Sequence, residues 1–93
     1  MSETMNVTKV IRFSKSQGPY VSFARLDDNG SANLMAYFET TFDLHEVEPK
    51  DPTYIRWMLK GFNEDGHKVT VTYFKTGTIN VDNLAVKEIE FSL

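Results

Sequence analysis

The 93-residue sequence contains no cysteine. That excludes disulfide staples, thiolate nucleophiles and cysteine-type zinc sites, and it leaves stability to core packing alone. Histidine is almost as scarce. His45 and His67 stand without a second histidine at ligand spacing, so no metal centre is expected. Asp27-Asp28-Asn29-Gly30 has a calcium-like composition but no later bidentate glutamate, and reads instead as a turn. No Gly-rich phosphate loop or nucleophile motif occurs. The acids Glu46, Glu48 and Asp51 sit in a polar stretch with no apolar pocket to make a catalytic carboxylate pair of them. A protein that is not an enzyme and uses no cofactor is expected.

Long apolar runs are missing too. No stretch is apolar enough to cross a bilayer, and residues 1–5 lack the basic flank and apolar core of a leader. The expectation is a cytoplasmic protein without membrane segments, its first five residues a flexible N-terminus. A chain of this length closes one modest core, so residues 1–93 are read as one domain.

What is present is β-type material. Val, Phe, Tyr and Thr recur in short alternating runs. Residues 6–15 predict a first strand, with Val7, Ile11 and Phe13 on one parity, ended by Gly18-Pro19. Residues 20–26 predict a second. Asn29-Gly30 then signals a hairpin into a third strand over 32–38, where Leu34, Ala36 and Phe38 oppose Met35 and Tyr37. Residues 41–50 read as an acidic loop with at most a short edge segment at 42–44. Asp51 and Pro52 look like a helix start, followed by Ile55, Met58, Leu59 and Phe62 at stripe spacing, with Gly61 as exit and Trp57 beside the stripe. Residues 67–74 alternate cleanly, with Val69, Val71 and Tyr73 inward. After a turn at 75–77, residues 78–91 form one curved strand or two broken at Asp82-Asn83.

Three strands, a helix and two strands make an all-β chain with one short helix. From Val7 to Phe91 that order resembles the OB fold, a five-stranded Greek-key barrel with a helix between strands 3 and 4. In size, in the Gly18-Pro19-Tyr20 after strand one and in the closing hairpin, the chain also looks like the small phage-type single-stranded-DNA-binding proteins. The resemblance implies a binding face on strands two and three, flanked by the first and last loops. Transferred to this sequence, it nominates Lys15, Arg25 and Lys75 for phosphate, with Arg12 in second rank, and Tyr20, Tyr37 and Phe74 for base stacking. Ser14, Ser16 and Gln17 share the first loop. Phe23, Phe38 and Tyr73 are expected in the core.

The net charge of −3 argues against binding driven by bulk positive charge, but the charges are segregated. Residues 1–26 carry Lys9, Arg12, Lys15 and Arg25 against Glu3 alone, whereas acids dominate residues 27–66. The leading expectation is therefore a binder of single-stranded DNA or RNA. The rival is a protein-interaction module, such as a phage or mobile-element protein that docks on a host factor through its acidic 39–51 region. A ligand-binding or catalytic barrel would need a deep pocket with convergent polar groups. An exposed edge on strand one or five offers a route to a homodimer.

Overall fold

A computed structural model describes residues 8–93; the expected flexible N-terminus and the start of strand one, through Val7, lie outside them. The chain runs β1 (Thr8–Arg12), β2 (Tyr20–Phe23), α1 (Asp28–Phe42), β3 (His45–Val47), β4 (Ile55–Phe62), β5 (Lys68–Phe74), β6 (Thr78–Asp82) and β7 (Glu88–Ser92). The described residues are mostly β with one helix. Five strands form an antiparallel sheet in the order β2-β6-β5-β4-β3, and β1 pairs with β7 in a second, two-stranded sheet.

The two sheets do not close into a barrel, which corrects the expected architecture. The helix is also relocated: it follows the second strand, and the segment read as the helix, 51–62, is largely strand. Local sequence supports both readings at each place. Residues 28–42 bury Gly30, Ser31, Leu34 and Phe38 along one helical face. Asp27, expected in a hairpin turn, is the N-cap, and its Oδ1 accepts from the Gly30 N–H at 2.8 Å. Asp43 ends the helix in the left-handed region at φ 54°.

Asp51 does begin a turn, its carbonyl accepting from Tyr54 and Ile55 N–H groups, but the chain then extends. Trp57, Leu59 and Gly61 of β4 are buried in register with Tyr73, Val71 and Val69 of β5. Gly61 matters through what it lacks. A Cβ there would come 2.5 Å from Leu44 Cδ2, so the residue read as a helix exit is where β4 passes close under the chain leaving α1.

The core lies between the sheets and the helix. The five-stranded sheet contributes Trp57, Leu59, Val69, Val71, Tyr73, Ile79 and Val81; the two-stranded sheet adds Ile11, Ile89 and Phe91; and α1 adds Leu34 and Phe38. Leu34 and Phe38 are fully buried, and each such side chain contributes about 1.5–3 kcal/mol. Trp57 is on the strand and not on a helix, and its Nε1 donates to Ser31 Oγ at 2.8 Å, fastening α1 to the sheet. The expectations for β5 and for the 75–77 turn hold, and of the two alternatives for residues 78–91 the broken one is seen, Asn83 taking φ 64° between β6 and β7.

Candidate nucleic-acid interface

The two sheets meet at a seam in the N-terminal segment. Phe13 still donates its N–H to Lys87 O beside β7, at 2.8 Å. One residue later Ser14 exchanges backbone hydrogen bonds with Val21 of β2, at 3.1 and 3.0 Å. The chain thus changes partner between adjacent residues. The seam is marked by a shallow groove lined by Arg12, Ser14, Ser16, Val21, Ser22, Phe23 and Thr78. Four of these seven carry a hydroxyl, and none carries a carboxylate.

Phe23 is the principal apolar feature of the groove. It is 63% exposed, although the sequence placed it in the core. The reason is strand parity. Ser22 pairs with Ile79, whose side chain is core, so Val21 and Phe23 face away from it, opposite Asn80 and Thr78. The Phe23 ring rests on Gly77, where an added Cβ would lie 3.2 Å from two ring carbons. Gly77 has φ 105°, which permits the turn as well as the close approach.

That turn brings other nominated residues alongside. Gly77 donates to Phe74 O at 2.9 Å and accepts at its own carbonyl from Ala24 N–H at 2.7 Å. Half-buried Phe74 and exposed Lys75 therefore stand at the end of β2, where exposed Arg25 follows Ala24. Arg12 makes an ion pair with Glu88 at 2.9 Å, with side-chain exposures of 82% and 56%. Such a solvated pair is worth only about 0–1 kcal/mol, so the guanidinium is free to exchange partners at little cost.

Three nominated residues are elsewhere. Lys15 Nζ sits 5.7 Å from the centre of the Tyr20 ring, and both line a separate cleft at the C-terminal end of α1. Tyr37 is on α1, where it packs edge-on against Phe38 and Phe42. Its expected place on a third strand is lost because that strand is helix. Of the nominated residues only Arg12 lines the groove; Arg25, Phe74 and Lys75 stand past its end, at the end of β2, and Lys15, Tyr20 and Tyr37 lie elsewhere. Ser22 and Thr78 were not nominated at all; only the β2–β6 register identifies them, and no local sequence signal carries it.

Among the described residues, no group of three or more His, Asp or Glu side chains is placed to hold a metal ion, and no helix is long and apolar enough to cross a membrane. No protein-family model, curated protein or solved structure matches the chain.

Proposed function

We propose that the protein binds single-stranded nucleic acid without enzymatic action, the strand lying along the groove where β1 gives way to β2. The observation that carries this reading is the exposed Phe23 ring beside Arg12 in a groove lined by hydroxyls and no carboxylate. A single strand offers unstacked base faces and a phosphate track. An exposed aromatic ring takes the first, and cations with hydroxyl donors take the second.

In this reading Phe23 and Phe74 stack on bases. Arg12, Arg25 and Lys75 contact phosphate, and the serine and threonine hydroxyls of the groove add neutral hydrogen bonds. The overall charge of −3 limits bulk attraction, so affinity rests on this local set and falls as salt rises.

The test is anisotropy titration of labelled oligothymidine and oligouridine at low and moderate salt. Binding is expected at low salt for at least one of them. Phe23→Ala should weaken it by about tenfold, since stacking on one base contributes roughly 1–3 kcal/mol. Tyr37→Ala should leave the affinity unchanged. If neither oligonucleotide binds at low salt, the reading is wrong.

A further inference from the structure

A cleft at the C-terminal end of α1 has a volume of about 830 Å³. It shares no lining residue with the Phe23 groove. Half-buried Phe42 and Leu84 line it, and Phe62, 67% exposed, stands among its lining residues. A volume of this order matches sites that enclose side-chain-sized or larger ligands.

The sign of its charge is one-sided. Asp43, Glu64, Asp65 and Asp82 line it, against the single cation Lys15, whose ammonium is held over Tyr20. Among the described residues none of the four carboxylates takes part in an ion pair. The helix adds to the same sign. Its C-terminal carbonyls carry partial negative charge, and no basic residue in its last turn offsets them. These acids are not gathered for a metal ion, because no cluster of ligating side chains forms. They are spread over the helix end, the β4–β5 turn and the end of β6, around an apolar floor.

We propose that this cleft binds a basic polypeptide segment of a partner protein, with lysine or arginine side chains meeting the dispersed acids and an apolar side chain resting on Phe42 and Leu84. Dispersed carboxylates suit several cations spaced along a chain better than one compact cation. The apolar floor needs an occupant that carries hydrocarbon as well as charge. The proposal does not rest on oligonucleotide binding, because the two surfaces are separate.

The probe is a short labelled peptide alternating lysine and leucine, titrated onto the full chain, with a glutamate–leucine peptide as control. Amide resonances of the ¹⁵N-labelled protein report the location. The lysine peptide is expected to bind and to shift Phe42, Leu44, Asp65 and Leu84. Glu64→Gln with Asp65→Asn, in an exposed turn, should weaken it by about tenfold or more while leaving oligonucleotide affinity unchanged. Equal binding of the glutamate peptide, full affinity in the double variant, or shifts confined to the Phe23 groove would each overturn the proposal. Complete displacement of the peptide by low concentrations of spermine would overturn it as well, by showing that a free polyamine satisfies the cleft.

Discussion

Single residues hold the two layers of this molecule together, and their substitutions have separable effects. Tyr73 is 2% exposed, yet its hydroxyl donates to Ala24 O at 3.0 Å and accepts from Leu26 N–H at 3.1 Å. One phenol thereby pins the strand-to-helix connection that follows β2. Tyr73→Phe keeps the ring and strips both backbone groups of their partner. It should cost about 1–3 kcal/mol in urea unfolding and loosen the segment that carries Arg25. Ser31→Ala removes the acceptor of the Trp57 indole, a loss of the same order. In Ser31→Ala the proposed oligonucleotide contacts are untouched, so any loss of binding should disappear at temperatures well below unfolding. Phe23→Ala is the opposite case. The exposed ring contributes little to the core, and its removal should leave the melting temperature nearly unchanged while weakening binding.

At the scale of elements, the sequence announced some segments and disguised others. Residues 68–74 alternate so regularly that strand β5, its inward residues and the turn after it are legible without coordinates. The exchange of helix and strand has a physical origin. Asp27-Asp28-Asn29-Gly30 serves equally as a hairpin turn or as a helix cap, and Leu34 with Phe38 satisfies a period of two and a helical period alike. Ile55, Met58, Leu59 and Phe62 likewise fit a helical stripe, but the same stretch offers Trp57, Leu59 and Gly61 on one strand face. Only the wider assembly decides, because β4 is an interior strand with neighbours on both sides. Two substitutions probe this level. Asp27→Ala should cost about 1 kcal/mol through loss of the cap. Gly61→Val should be more damaging, since even a Cβ meets Leu44 at 2.5 Å; overpacking of this kind costs roughly 1–3 kcal/mol or more.

The same exchange explains how much of the binding surface could be read. Arg12 and Phe74 belong to segments read correctly as strands and Lys75 to a correctly read turn, whereas Arg25, read as part of strand two, lies just beyond the end of β2. Tyr37 fell with the strand that became helix. Tyr20 and Phe23 illustrate a different limit. They lie on one short strand at opposite parity, and nothing local says which faces the core; pairing with β6 turns Tyr20 toward Val81 and Phe23 toward Thr78.

Across the whole molecule, charge and shape divide into two surfaces. The seam between the sheets bears an aromatic ring, hydroxyls and cations, and the helix end bears acids around an apolar cleft. This division is how an acidic protein could carry the proposed site for a polyanion. It also fixes the salt dependence. With Arg12, Arg25 and Lys75 as the phosphate contacts, the logarithm of the affinity should fall with the logarithm of salt at a slope of roughly −2, each contact contributing about −0.7. Lys75→Ala should reduce the slope by about that increment, whereas Lys15→Ala should leave it unchanged.

The most direct test of the central claim is residue-resolved: ¹H–¹⁵N spectra of the protein titrated with unlabelled oligothymidine and oligouridine at low salt. The account predicts that at least one of them produces shifts concentrated at Ser14, Ser16, Val21, Ser22, Phe23 and Thr78 and extending to Lys75. Absence of shifts with both, or shifts confined to the cleft around Phe42 and Leu84, would contradict it.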